Sequence, residues 1–202
     1  MVEKADASAL TEKIRAALIR HHPNYQRALG KTSEAAVSVI LRAGEGKEDL
    51  EVLLVKRKTR QGDPWSGQMA FPGGRRKIED VDLAATAIRE TREEVGVDLT
   101  QTVPLGVMSG VVSNSLSISV KPFIFFTKGG ISIELNPEEL IQYFWIPLSF
   151  FRDKSNVSNY AVVRFGSKVQ VPSYNLQEGN VIWGLTFKII NNFLSDTGLE
   201  AS

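Results

Sequence analysis

Residues 82–95, with the sequence DLAATAIRETREEV, predict the fold more strongly than any other part of the chain. Successive residues of an α-helix are rotated by about 100°, and at that spacing five of these positions fall on one arc. The five positions are Ala84, Ala87, Ile88, Thr91 and Val95. We therefore predict an amphipathic helix that buries this arc against a core.

The same helix carries three glutamates, Glu90, Glu93 and Glu94, on a neighbouring arc. Like charges three and four residues apart repel one another and destabilise an isolated helix. Arg89 lies four residues before Glu93, but one guanidinium offsets only part of three negative charges. A bound cation would convert this unfavourable cluster into a metal site.

Residues 71–77, FPGGRRK, precede the helix and combine two glycines with three basic residues. Glycine lets the backbone approach a ligand closely, and basic side chains suit an anionic, phosphorylated ligand. Carboxylate and carbonyl oxygens, without sulfur or imidazole, favour Mg²⁺ or Mn²⁺. Together these features predict metal-assisted attack on a phosphate ester or anhydride.

Gly74 and residues 89–97, RETREEVGV, resemble the Nudix box, G-x5-E-x7-R-E-U-x-E-E-x-G-U, in which U is a bulky apolar residue. Every charged and glycine position of the second half matches, and Thr91 replaces the first U. The interval from Gly74 to Arg89 is one residue longer than in the family pattern. The first glutamate of the box therefore has three candidate counterparts, Glu79, Asp80 and Asp82.

This resemblance implies an α/β (α+β) fold, the Nudix α/β/α sandwich, with a mixed β-sheet and the box as loop–helix–loop. It also implies Mg²⁺ or Mn²⁺ bound by Glu90, Glu93, Glu94 and the Gly74 carbonyl, with water activated for attack on a diphosphate. A box glutamate (Glu90 or Glu93) or a loop carboxylate is expected to accept the proton of that water. The expected substrate-binding residues are Arg57, Arg75 and Gly73.

Three further segments are similar to the coenzyme A pyrophosphatase branch of the family: residues 66–74, SGQMAFPGG; the Asp80-x-Asp82-Leu83 pattern; and residues 182–186, IWGLT. Lys58 and Trp65 depart from that branch, at positions where it usually has serine and histidine. The similarity favours a coenzyme A or acyl-coenzyme A substrate. NADH, ADP-ribose and (d)NTPs are the alternative substrates, and a non-catalytic nucleotide-sensing module is the alternative function.

Residues 136–140, NPEEL, admit two interpretations. Asn at a cap, Pro at the first position and acids near the positive end of the dipole are typical of a helix start, which we favour. Nudix enzymes, however, often supply a further metal-binding or base carboxylate from a loop at this distance beyond the box. Glu138 and Glu139 are the candidates for that role, with Glu139 counted among the catalytic residues.

The rest of the chain predicts a layered domain of mixed strands and flanking helices. Residues 1–30 are expected to form an N-terminal helical extension, and residues 31–202 the Nudix domain. A charged loop is predicted at 56–66. Helices are predicted at 8–22, ended by Pro23, and at 181–194, capped by Asn180. The predicted strands are 35–41, 51–55, 103–108, 117–127, 142–146, 161–165 and 168–171, with a turn at 44–47 between the first two.

Composition excludes several other functions. The 202 residues have a formal net charge of +1, which disfavours nucleic acid as a partner. Cysteine is absent, so disulfides, thiol nucleophiles and the chemistry of the isopentenyl diphosphate isomerases are excluded. The N-terminus lacks the apolar segment of a signal peptide, and no run is long and apolar enough to span a membrane. We therefore expect a cytoplasmic enzyme with a small-molecule nucleotide-diphosphate substrate, and a homodimer is compatible with the sequence.

Overall fold

A computed structural model describes residues 7–20, 33–44, 49–63, 65–113, 116–164 and 166–200. The helices are α1 (Ala7–Arg20), α2 (Leu83–Val95), α3 (Leu148–Arg152) and α4 (Gly184–Asp196). The strands are β1 (Ser33–Ala43), β2 (Leu50–Arg57), β3 (Met69–Ala70), β4 (Gly73–Arg75), β5 (Val103–Val107), β6 (Val111–Ser113), β7 (Ile118–Thr127), β8 (Leu140–Pro147), β9 (Val157–Arg164), β10 (Ser167–Asn175) and β11 (Val181–Trp183).

The main sheet is mixed, as the sequence predicts. Strand β1 lies at its centre and runs parallel to β7, whereas the other pairings of the sheet are antiparallel. Strand β3 pairs with β2, and β4 pairs with β1, so residues 69–75 lie between two diverging strands. A second sheet has the order β11-β10-β9 and is antiparallel.

Helices cover both faces of the main sheet. On one face, Val95 of α2 packs in a cluster with Ile40 and Leu53. On the other face, Ile14 of α1 and Ile189 of α4 belong to the larger cluster. This arrangement confirms the predicted α/β/α sandwich, with α2 on the side opposite α1 and α4.

Helix α2 begins and ends where the sequence places it. The Asp82 side chain caps it by accepting a hydrogen bond from the amide of Ala85 at 2.8 Å. Gly96 ends it in the left-handed conformation, with φ of 70°. Thr91, the departure from the box pattern, is fully buried and donates to the hydroxyl of Ser38 in β1 at 2.7 Å. This partner explains how a polar residue is accommodated at an otherwise apolar position.

Several local predictions are wrong. Residues 137–139 form a single turn that leads into β8, not a helix start, and Asn136 Oδ1 accepts from the amide of Glu138 at 3.0 Å. Residues 181–183 form β11 and pair with β10, so α4 begins at Gly184 and Asn180 is not its cap. Lys56 and Arg57 extend β2 rather than beginning a loop, and Gly73 and Gly74 lie in β4.

Other elements agree with prediction, whereas α3, β3 and β6 were not predicted. Helix α1 and the β9–β10 hairpin form as expected, although the predicted helix end at 21–23 and the turn at 45–47 lie outside the described residues. Leu18 of α1 packs against Gly106 of β5, where a Cβ on the glycine would lie 2.8 Å from Leu18 Cβ. Among the described residues, no helix is long and apolar enough to cross a membrane.

Candidate active site

A cavity with a volume of about 590 Å³ brings most of the predicted site residues together. Its charged walls come from β2, β4, α2 and the turn before β8, and its apolar walls come from β1, β2, β3, β7, β9, β11 and α4. The predicted site residues in its wall are Arg57, Gly73, Gly74, Arg75, Glu90, Glu94 and Glu139. Glu93 is the only predicted site residue outside this wall.

Glu94 is the most deeply buried acid of the site, with 2% of its side chain exposed. Its Oε2 accepts from the amide of Gly73 at 2.9 Å, and its Oε1 lies 3.5 Å from Arg57 Nη1. The pKa of Glu94 is raised to about 8, because burial, together with the neighbouring charges of Glu90 and Glu139, outweighs the lowering effects of the Gly73 hydrogen bond and of Arg57. The protein therefore provides too little positive charge to compensate this carboxylate.

Arg57 links the buried carboxylate to the loop after β2. Its Nη2 pairs with Asp63 Oδ2 at 3.2 Å, and its Nε is buried without a partner among the described residues. Asp63 also accepts from the amide of Trp65 through Oδ1 at 2.9 Å. Asp63 thus fixes both Arg57 and the loop that carries Trp65, whose ring lies 5.5 Å from the guanidinium carbon of Arg75.

Glu90 is held against β4 by close packing and by Arg89. A Cβ on Gly74 would lie 2.5 Å from the carboxyl carbon of Glu90, so a larger residue at this position would displace the Glu90 carboxylate. Arg89 Nη1 donates to Glu90 Oε1 at 2.6 Å. The glycine of the box therefore lets the carboxylate approach the backbone of β4.

Of the three candidate counterparts of the first box glutamate, Asp80 is the one that contacts the box arginine, Arg89. Asp80 Oδ1 accepts from Arg89 Nε and Oδ2 from Arg89 Nη2, both at 2.8 Å. Oδ2 also accepts from the amide of Lys77 at 2.8 Å and from the hydroxyl of Thr86 at 2.9 Å. These hydrogen bonds, those from Arg89 foremost, hold the pKa of Asp80 well below its usual value. Glu79 and Asp82 make no such contact in the described structure.

Replacement of Asp80 by asparagine is expected to destabilise the protein by about 1–3 kcal/mol, the cost of leaving a buried partner unsatisfied. Because the folded pKa is depressed, the contribution of Asp80 is fully present above its ordinary pKa of 3.8 and is lost as the pH falls below it. Urea unfolding between pH 3 and 8 measures both effects. Asp82→Asn is the control, since asparagine caps helices as well as aspartate. Equal stability of the two variants at pH 7 would contradict the prediction.

Glu93 does not join Glu90 and Glu94 at the cavity. It is 47% exposed, and its Oε2 lies 3.1 Å from Arg89 Nη1 and 3.3 Å from Lys77 Nζ. Among the described residues, no three histidine, aspartate or glutamate side chains converge as a preformed metal site. The helical arc that was predicted to carry one metal site thus contains both Glu93, which faces solvent, and Glu94, which faces the cavity.

Glu139 and Glu138 differ in position, although they are adjacent in the chain. Glu139 lies in the cavity wall, close enough to Glu94 to influence its ionisation. Glu138 is exposed, and its backbone carbonyl accepts from Arg60. The turn therefore presents one acid to the cavity and the other to solvent.

Sequence reasoning did not identify Asp63 or Ser38. Trp183 is only half-buried, lies in the cavity wall and packs 6.0 Å from the ring of Tyr160. Asp63 precedes a proline in a charged loop, a pattern that indicates a turn but no specific partner. The pairing of Asp63 with Arg57 depends on the path of this loop, which the sequence does not specify.

Comparisons with known proteins agree with this geometry. Residues 32–164 match the NUDIX domain family. A protein of Photorhabdus laumondii named uncharacterized Nudix hydrolase NudL is 34% identical over 139 residues, which cover 69% of this chain and 73% of that protein. A Yersinia pestis protein of the same name is 28% identical over 178 residues, covering 88% of this chain and 85% of that protein.

Solved structures show the same fold. A MutT/nudix family protein from Enterococcus faecalis aligns with a TM-score of 0.53 and 18% identity, over 93% of this chain and 70% of that one. A NUDIX hydrolase from Alicyclobacillus acidocaldarius aligns with a TM-score of 0.50 and 19% identity, over 83% and 93%. The family match spans well over half of the chain and includes the box and the main sheet. The chain belongs to the Nudix family and is a Nudix hydrolase, that is, a pyrophosphohydrolase.

Proposed function

We propose that this Nudix hydrolase cleaves the pyrophosphate bond of a nucleoside diphosphate linked to another moiety, with coenzyme A or acyl-coenzyme A as the favoured substrate. The observation that carries this proposal is the meeting of residues 66–74 with residues 182–186 at one cavity. The Thr186 hydroxyl donates to the carbonyl of Met69 at 2.9 Å. Phe71 and Leu185, one from each segment, both line the cavity.

The composition of the cavity wall supports a substrate with two chemically different parts. Arg57 and Arg75 are suited to the charge of a diphosphate. Val162, Trp183 and Leu185 provide an apolar surface from other elements of the fold. A volume of about 590 Å³ is within the usual range for small-molecule sites, about 300–1,000 Å³.

The donor set fits Mg²⁺ or Mn²⁺. Glu90 and Glu94 line one cavity beside the backbone of Gly74, and all of these groups offer hard oxygen ligands. The raised pKa of Glu94 shows that burial disfavours its ionised form, and a divalent cation would stabilise that form. A bound metal would polarise the diphosphate and lower the pKa of the attacking water. Glu93 would join this set only after release from Arg89 and Lys77.

The remaining roles belong to residues around this centre. The Gly73 amide orients Glu94, and Arg57 and Arg75 stabilise negative charge that develops on the diphosphate. Glu139 is our first candidate to accept the proton of the attacking water, with Glu90 and Glu93 as alternatives within the box. We also propose residues 31–202 as the Nudix domain and residues 1–30 as its helical extension.

Coenzyme A is expected to be hydrolysed with a kcat/KM at least about tenfold above that of any dNTP, which requires about 1.4 kcal/mol of differential transition-state binding. The measurement compares coenzyme A, NADH, ADP-ribose and dNTPs with Mg²⁺ and with Mn²⁺, and identifies the products by mass spectrometry. A higher kcat/KM for any dNTP would reject coenzyme A as the favoured substrate. Nucleotide binding without hydrolysis of any of these compounds would instead support a sensor.

A further inference from the structure

A second, smaller cavity of about 160 Å³ adjoins the active-site cavity. The two cavities share three wall residues, Gln68, Met69 and Trp183. The other residues that line the smaller cavity are Lys56, Ser66, Gly67, Tyr160, Gly179, Asn180 and Val181. A ligand bound in the larger cavity therefore lies beside a pocket that none of the proposed catalytic groups occupies.

Lys56 is the only residue of this wall, as the structure describes it, that is charged at neutral pH. Its ammonium donates to Asn180 Oδ1 at 2.7 Å. Asn180 is 3% exposed, and its carbonyl accepts from the amide of Leu176 at 2.8 Å, which fixes its backbone. The buried side chain of Asn180 thus holds the Lys56 ammonium at the smaller cavity.

The partner of Lys56 is neutral, so its positive charge is not compensated by a carboxylate of the described chain. An ammonium has three N–H donors, and Asn180 accepts from one of them. Ser66 Oγ accepts from the amide of Arg60 at 2.8 Å, so its hydroxyl hydrogen can be donated to a ligand. The pocket combines one cation with neutral donors, the arrangement that binds an anion.

We infer that this pocket binds a phosphomonoester group of the substrate, so that the preferred nucleoside diphosphate carries a third phosphate away from the bond that is cleaved. This inference rests on the proposed function. A phosphomonoester has a charge of about −1.5 to −2 at pH 7, which matches a cation that lacks a counter-charge. The pocket lies below the ~300 Å³ of ordinary ligand sites, so it accommodates a single such group rather than a second nucleoside.

The kinetic test compares coenzyme A with dephospho-coenzyme A, which differ by one phosphomonoester. The wild-type protein is expected to favour coenzyme A by about tenfold or more in kcat/KM, the usual effect of a charge-assisted hydrogen bond. Lys56→Gln should reduce this ratio to within about threefold of unity. Lys168→Gln, which removes the same charge from an exposed position in β10, should retain the wild-type ratio. A wild-type ratio near one, or a ratio unchanged in Lys56→Gln, overturns the inference.

A binding test that does not depend on turnover separates this inference from the proposed function. Adenosine 3′,5′-bisphosphate should bind more tightly than AMP in calorimetry, and Lys56→Gln should abolish the difference. If neither coenzyme is hydrolysed but this difference is observed, the proposed substrate fails and the phosphate pocket stands. If inorganic phosphate binds in a Lys56-dependent manner while the two nucleotides bind equally, the pocket serves free phosphate and the inference is overturned.

Discussion

Replacement of Glu94 by glutamine is expected to lower kcat by at least about 10²–10³-fold at saturating Mg²⁺, the usual loss when one preorganised electrostatic group is removed. Glu94 is the acid that β4 and Arg57 hold at the bottom of the cavity. Glutamine has nearly the same shape but no negative charge, so it would leave the cavity intact and remove a ligand for the metal. Steady-state kinetics over a range of Mg²⁺ concentrations measures the effect.

The same substitution should leave the metal-free protein as stable as the wild type or more stable. Burial penalises the charge of Glu94, and the neutral amide avoids that penalty. Thermal unfolding in buffer with a chelator measures this, and Glu12→Gln on an exposed position of α1 serves as the matched control for kinetics and stability. Wild-type kcat in Glu94→Gln at saturating Mg²⁺ would show that the metal site lies elsewhere.

Glu139→Gln is expected to lower kcat by about 10²–10⁴-fold, the usual contribution of a positioned general base. Glu139 lies in the cavity wall beside Glu94, at the end of a turn that β8 holds in place. The folded state should be nearly unaffected, since the half-buried side chain lies at the cavity rather than in the core. Kinetics and urea unfolding of the same preparation separate the two effects.

Glu138→Gln is the control for this prediction, because it removes the same charge one residue away on the solvent side. Its kcat should stay within a few-fold of the wild type. If Glu139→Gln also retains kcat within a few-fold, the general base must be sought among the box glutamates.

The sequence was sufficient to predict α2 because that helix satisfies several local rules at once. Its apolar spacing, the Asp82 cap and the terminal Gly96 all specify the same boundaries. The α/β/α sandwich followed from the resemblance to the box and was confirmed. Strands β1, β7 and β8 were found within a few residues because their apolar runs are long.

Tertiary pairing decided the segments that were predicted wrongly. Asn136 and Pro137 suit a helix start, but the same residues suit a turn, and the pairing of the following residues with β2 favours the turn. Residues 181–183 have helical neighbours, yet pairing with β10 makes them a strand. Local propensity cannot distinguish such alternatives, because the competing interactions come from distant parts of the chain.

The site was predictable as a set of residue types but not as a geometry. A helical projection places Glu90, Glu93 and Glu94 within one arc, but it does not show which edge of that arc faces the sheet. The backbone of β4 decides this, since the Gly73 amide donates a hydrogen bond to Glu94 and Gly74 leaves space for the Glu90 carboxylate. The sequence likewise left three acids as candidate counterparts of the first box glutamate, and the loop before α2 places Asp80 alone among them against Arg89.

Gly73 and Gly74 belong to strand β4 of the main sheet, which links loss of activity to loss of the fold. A Cβ on Gly73 would lie 2.3 Å from the carbonyl oxygen of Ala36, so β4 is packed directly against β1. This backbone cannot separate from β1 unless the sheet itself opens. We therefore expect the amides of β4 to exchange hydrogen only by global unfolding. Heat inactivation should then follow the same curve as loss of the native fold, without an earlier phase in which a folded protein is already inactive.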